Sequence, residues 1–106
     1  MSAEIAALND QFRARLGCGC DGRLVMTRAF ACLPDDERHA AMRAVQVFDA
    51  FTPDNDPYGE HDCAIVRLPE PVMFKFDYYA NEQCEEGADD GRRCYRVLTI
   101  MLASDY

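Results

Sequence analysis

Reactive side chains are densest in the segment Phe48-Asp49-Ala50-Phe51-Thr52-Pro53-Asp54-Asn55-Asp56-Pro57-Tyr58-Gly59-Glu60-His61-Asp62. From Asp54 to Asp62 it gathers the carboxylates of Asp54, Asp56, Glu60 and Asp62 around one imidazole, His61. Calcium is the first chemistry such a set suggests, because Asp54-x-Asp56 followed by Gly59 imitates a calcium-binding loop. The imitation fails at Tyr58 and Ile65, which stand at the fifth and twelfth positions of such a loop, the twelfth needing a bidentate Glu. A divalent metal held by Glu60, His61 or Asp62, with Asp77 from a following strand, is a second possibility, with one histidine among scattered acids as its whole signal. A third is general-base catalysis by His61, oriented by Glu60 or Asp77. A hydrolase of that kind wants an activated nucleophile, and neither G-x-S-x-G nor a phosphate-binding loop is present. The same residues also make a stiff, self-bonded loop: Asp and Asn bond their own backbone, Pro fixes φ, and Gly59 supplies a left-handed turn. A rigid acidic loop on a stable scaffold serves recognition as readily as catalysis.

The charge has a location. The chain has 106 residues and a formal net charge of −8. Residues 1–48 are neutral overall. Residues 49–90 carry twelve acids against Arg67 and Lys75, and residues 91–106 are net positive through Arg92, Arg93 and Arg96. So acidic a chain does not hold nucleic acid through many phosphates, which takes Lys and Arg. A negative region does speed encounter with a basic partner, and it also serves plain solubility. The residues expected to carry such contact are Asp54, Asp56, Tyr58, Glu60 and Asp62 in the central loop, and Glu82, Glu85, Glu86, Asp89 and Asp90 in a later acidic turn.

No signal-peptide core and no long apolar run is visible, so the expected compartment is the cytoplasm and no membrane partner is expected. Six cysteines are many for that setting. There is no C-x-x-C pair and no second ligand at finger spacing for His39 or His61, so zinc is disfavoured and no cofactor is expected. Cys32 and Cys63 read as buried free thiols. Cys84 and Cys94 flank an acidic loop and could face each other on paired strands, close enough to bridge under oxidation. Cys18-Gly-Cys20 is too tight to be diagnostic.

The elements that must position the loop follow from periodicity. Ile5, Leu8, Phe12 and Leu16 share a helical face, so a helix is expected over Ala3–Leu16, capped by Ser2 and ended by Gly17. Gly17–Gly22 is a turn, Arg23–Thr27 a short strand, and Phe30–Leu33 reads equally as a helical turn or a strand extension. Pro34-Asp35-Asp36-Glu37 marks a helix start, with Pro34 as the first helical residue. The apolar positions Ala41, Met42, Val45 and Phe48 carry that helix to about Ala50, with His39 on its polar side. Cys63–Leu68 is a strand, and Pro69-Glu70-Pro71 a turn. Val72, Phe74, Phe76 and Tyr78 alternate with Met73, Lys75, Asp77 and Tyr79, the mark of a half-buried antiparallel strand. Asn81–Arg93 is a loop, and Arg96–Ala103 reads as a central strand. The expectation is a single α+β domain over residues 1–106, with two N-terminal helices packed on a small, mostly antiparallel sheet.

The central loop motif, together with Asp77-Tyr78-Tyr79, the ending Arg96-Val97-Leu98-Thr99-Ile100-Met101-Leu102-Ala103-Ser104-Asp105-Tyr106 and the opening Leu8-Asn9-Asp10, resembles a small bacterial domain family of unknown function. The resemblance covers most of the chain but not the cysteine-bearing stretches 17–21 and 83–94. It attaches no catalytic role to the motif. It implies an origin in chromosomes and mobile elements of GC-rich bacteria, with which ten Arg against one Lys is compatible. By analogy, small acidic proteins of such elements inhibit host defence, as anti-restriction or anti-CRISPR proteins do. The leading expectation is therefore a non-catalytic binding protein that engages a basic, nucleic-acid-binding surface of a partner protein, such as a host defence complex. The alternatives are a metal-dependent or general-base hydrolase centred on His61 with Glu60 and Asp77, and a regulatory scaffold that dimerises through an exposed apolar strand or helix.

Overall fold

A computed structural model of the chain describes residues 2–106. The cap expected of the Ser2 side chain lies outside the described residues. The elements are α1 (Ser2–Arg15), β1 (Gly22–Met26), α2 (Arg28–Ala31), α3 (Asp35–Val47), β2 (Cys63–Val66), β3 (Val72–Tyr79), β4 (Tyr95–Leu102) and a closing 3-10 turn, Ala103–Asp105. The strands form one sheet in the order β1-β4-β3-β2. β3 pairs antiparallel with both β2 and β4, while β1 runs parallel to β4. This is an α+β fold on a mostly antiparallel sheet.

Period-2 alternation divides the central strands between two faces. Val72, Phe74 and Phe76 of β3 lie in register with Leu102, Ile100 and Leu98 of β4, and they face the helices. Phe12 of α1, Phe30 of α2, and Ala41 and Val45 of α3 complete that core, with Ala64 and Val66 of β2. Phe12 meets Phe76 edge to face at 5.6 Å. Phe12, Phe30 and Phe74 have essentially no exposed surface, so truncating any one to Ala costs about 3–5 kcal/mol. The opposite face carries Met73, Lys75 and Asp77 of β3 beside Met101, Thr99 and Val97 of β4. Gly22 is required where β1 joins the sheet, because a Cβ there would lie 2.0 Å from the Arg96 carbonyl oxygen.

Several boundaries differ from the sequence expectation for identifiable reasons. α1 ends in a Schellman motif: the Gly17 amide donates to the Phe12 carbonyl and the Leu16 amide to that of Arg13. Leu16 (φ 50°) and Gly17 (φ 81°) both take positive φ, so the turn expected at Gly17 begins one residue earlier. Pro34 is extended (φ −52°, ψ 147°) and stands before α3, whose first residue is Asp35. α3 stops at Val47 instead of about Ala50 because Phe48 turns extended, and Arg13 Nη1 takes up the freed carbonyls of Val45 and Phe48 at 2.8 and 2.9 Å. Residues 28–31 resolve the ambiguity near Phe30 in favour of a helical turn. β2 is shorter than expected, since Leu68 bonds back to Val66 in a turn. Cys32 is exposed, not buried, and Cys84 and Cys94 are free thiols.

Candidate functional site

The loop 48–62 is built on its own hydrogen bonds. Asn55 Oδ1 accepts the Thr52 amide at 2.8 Å, Asn55 Nδ2 donates to the Ala50 carbonyl at 3.0 Å, and the Asp56 amide donates to the Thr52 carbonyl at 2.8 Å. These are the turn-forming bonds that Asn and Asp supply. Asp56 is only 7% exposed. Its carboxylate accepts the amides of Glu60 and His61, each at 3.2 Å. Its charge is spent inside the loop, so Asp56 does not face a partner, contrary to the sequence expectation.

His61 follows in the left-handed region at φ 56°, a conformation that costs a non-glycine residue about 1–2 kcal/mol. Three contacts hold it there. Nδ1 lies 2.9 and 3.0 Å from the two carboxylate oxygens of Asp10 on α1. Nε2 lies 3.7 Å from Asp56 Oδ2. The ring stacks on Phe51 at 4.0 Å with planes 3° apart. Asp10 in turn accepts from Arg13 Nη2 at 2.6 Å. The guanidinium of Arg13, 2% exposed, lies over the rings of Phe51 and Phe74 at 5.4 and 5.0 Å while it caps α3.

One turn earlier on α1, Asn9 is fully buried. Its Nδ2 donates to the Glu60 carbonyl at 3.0 Å and to Tyr78 Oη at 2.8 Å. Its Oδ1 accepts from Arg96 Nε at 2.7 Å. Arg96 also donates to the Gly91 carbonyl and lies over the Tyr78 ring at 5.4 Å. One asparagine thus joins α1, the central loop, β3 and β4. Burial pushes the Tyr78 phenol up to about 12 against the opposing effect of its bond to Asn9. Burial, then the neighbouring Asp62 and Asp56, raises the Glu60 carboxyl above its ordinary value.

The remaining expected residues divide by exposure. Asp54 and Tyr58 stand in solvent, Tyr58 at 76% exposure. Glu60 and Asp62 are partly buried, and the Asp62 carbonyl accepts the Phe76 amide at 2.8 Å. Glu82, Glu85, Glu86 and Asp89 are exposed. Asp90 is held by the Arg92 guanidinium at 2.9 Å, which draws its carboxyl down to about 2. Asp77 does not join His61: it pairs with Lys75 at 2.8 Å on the sheet face away from the helices. The imidazole's carboxylate partners are Asp10 and Asp56 instead.

This geometry has limited catalytic capacity. A general base works through a free ring nitrogen directed at substrate, whereas both nitrogens of His61 face carboxylates of the protein itself. Among the described residues no group of three or more His, Cys, Asp or Glu is arranged to hold a metal ion. The arrangement is suited to holding a loop rigidly against a helix.

Sequence reasoning missed Asn9, Asp10, Arg13 and Arg96. A signal did exist for two of them: Asn9 and Arg13 are spaced i, i+4 beside Phe12, so a polar pair interrupts the apolar stripe of α1.

No described helix is long and apolar enough to cross a membrane. No curated protein and no solved structure matches the chain. A family model does match, over residues 26–105, which takes in the central loop and all of β2, β3 and β4 but leaves out Asn9, Asp10 and Arg13 of α1, which latch the loop. On that match, the chain belongs to the DUF3768 family of proteins of unknown function.

Proposed function

We propose that this is a non-catalytic binding protein that uses one acidic end of its sheet to engage a basic surface on a partner protein. The observation that carries the reading is topological. β2 and β3 are antiparallel, so the loop entering β2 and the loop leaving β3 lie at the same end of the sheet. Most of the acids of residues 49–90 lie in these two loops, while Glu70 sits in the β2–β3 turn at the other end and Asp77 pairs with Lys75 on the far face. The contact residues are the exposed ones, Asp54, Tyr58, Glu82, Glu85, Glu86 and Asp89, with Glu60 and Asp62 at the rim. Asp56 and Asp90 belong to the scaffold, the first by burial and the second by its pairing with Arg92.

The latch supports this reading because a pre-ordered loop pays less entropy on binding. Asp56, His61, Asp10 and Asn9 hold the loop on which Asp54 and Tyr58 are exposed. An exposed tyrosine amid acids is an apt contact for arginine, through both charge and cation–π attraction. In its sharpest form the partner's basic surface is one that binds nucleic acid, in a bacterial defence complex, and the protein is an inhibitor acting in the cytoplasm. The test is affinity purification from a native host with wild type and with a variant reversed at Asp54, Glu82, Glu85, Glu86 and Asp89. A basic protein captured only by wild type supports the reading. Equal recovery by both overturns it.

A further inference from the structure

We propose that the groove between the start of α3 and the β2–β3 turn (residues 67–71) docks a short segment of a partner protein, one bulky apolar side chain with an arginine or lysine on either side. The turn lies at the end of β2 and β3 opposite to the acidic loops, so the inference stands apart from the reading above.

The floor of the groove is apolar. Ala40 and Ala41 leave the surface of α3 low, and Leu33, Leu68 and Pro69 close round them. Leu33 and Leu68 also pack on the core, so the floor belongs to the folded body. The volume is about 250 Å³, below the roughly 300–1,000 Å³ of a small-molecule site. A hollow of that size suits one protruding side chain.

The wall opposite α3 is stiff. Pro69 and Pro71 fix φ on either side of Glu70. The Leu68 amide donates to the Val66 carbonyl at 3.1 Å, and the Pro71 carbonyl accepts the Ala103 amide at 2.9 Å. A preformed wall loses little entropy when a ligand seats.

The rim is anionic. Asp36 and Glu37 stand on the α3 bank and Glu70 on the other, all three exposed, and no Lys or Arg lines the groove. Among the described residues none of the three is ion-paired. The cation next to them in sequence is engaged elsewhere: Arg38 donates to Asp35 at 2.7 Å and to the Leu33 carbonyl at 3.1 Å. An apolar floor between two unpaired anionic banks is complementary to an apolar residue between two cations. Burial of the anchor supplies affinity, while the banks orient the segment and reject acidic ones. A segment with cations and no anchor leaves the floor empty and gains only screened surface attraction.

The experiment is an amide NMR titration of the isotope-labelled full chain with the synthetic peptide Ser-Arg-Arg-Leu-Arg-Arg-Ser, and with the same peptide carrying alanine for leucine. The amides of Leu33, Ala40, Ala41 and Leu68 should shift and saturate with the leucine peptide, and at those amides the alanine peptide should bind about tenfold or more weakly. Ala40→Leu fills the floor from an exposed helical position and leaves every charge in place, so it should reduce the leucine peptide to the level of the alanine peptide. Glu37→Lys combined with Glu70→Lys should weaken the leucine peptide by about tenfold or more as well. Equal affinity of the two peptides at these amides, wild-type affinity in Ala40→Leu, or shifts confined to loops 48–62 and 80–94 would overturn the proposal. So would concentration-dependent shifts of the same four amides without peptide, which would assign the groove to a second copy of the chain.

Discussion

Replacing Asn9 tests how the central loop is held. The side chain is fully buried and makes three hydrogen bonds, two as donor and one as acceptor. Asn9→Ala removes all three and leaves the Glu60 carbonyl and Arg96 Nε without their partner. At about 1–1.5 kcal/mol per buried bond the loss is roughly 3–4.5 kcal/mol, a large share of the roughly 5–15 kcal/mol typical of a whole domain. Taken as 3 kcal/mol, it lowers Tm by roughly 12–24 °C for a domain of about this size. Asn9→Asp is the sharper variant. It keeps an acceptor for Arg96 and even adds an ion pair, but it turns the donor 3.0 Å from the Glu60 carbonyl oxygen into a second acceptor. Donation to the loop is then lost and two oxygens face each other, so Asn9→Asp is expected to destabilise by about 2 kcal/mol. Urea denaturation followed by far-UV circular dichroism measures both variants, and chymotryptic cleavage at Phe51 and Tyr58 reports whether the loop loosens first. An Asn9→Asp chain as stable and as protease-resistant as wild type would refute the view that donation from Asn9 fixes the loop.

Other outcomes follow from the same contacts. His61→Gly should be more stable than His61→Ala by about 1 kcal/mol in urea denaturation, because both lose the latch while only glycine is at ease at φ 56°; the reverse order would remove the strain argument. Asp56→Ala leaves the amides of Glu60 and His61 without their acceptor and should cost about 2–4 kcal/mol, with hydrogen exchange at those two amides rising before that of β3. Tyr78 holds its proton to about 12, above the ordinary value of 10.0. Between those pH values the unfolded chain releases that proton and the folded chain keeps it, so stability falls as pH rises through the window. Absorbance titration at alkaline pH should show one late tyrosine that is missing in Tyr78→Phe.

Much of this fold is legible in local pattern. The alternation from Val72 to Tyr79 is β3, the apolar run before Ala103 is the central strand β4, and the acids after Pro34 begin α3. The central loop was recognisable from its turn residues. What local pattern does not carry is pairing over distance. The bonds of Asn9 reach residues 51, 69 and 87 positions away, and amphipathic logic assigns such a residue to solvent. For the same reason Asp77 looked like a partner for His61, although alternation along β3 sends it to the other face beside Lys75. Arg96 sits at the edge of an apolar run, and the Asn9 and Gly91 oxygens together with the Tyr78 ring explain its burial. Asp56 illustrates a further limit: net charge counts it as surface, whereas backbone amides claim it.

The proposed recognition surface for basic proteins lies at one end of the sheet. Calorimetric titration with an arginine-rich peptide over a range of salt concentrations tests it most directly. The comparison is between wild type, a chain reversed at Asp54, Glu82 and Glu86, and a control reversed at Asp35, Asp36 and Glu37 at the start of α3, which has the same net charge. The expected result is salt-sensitive binding that the control retains and the first variant loses. Equal weakening in both variants would contradict it, since the attraction would then be a property of total charge and not of this surface.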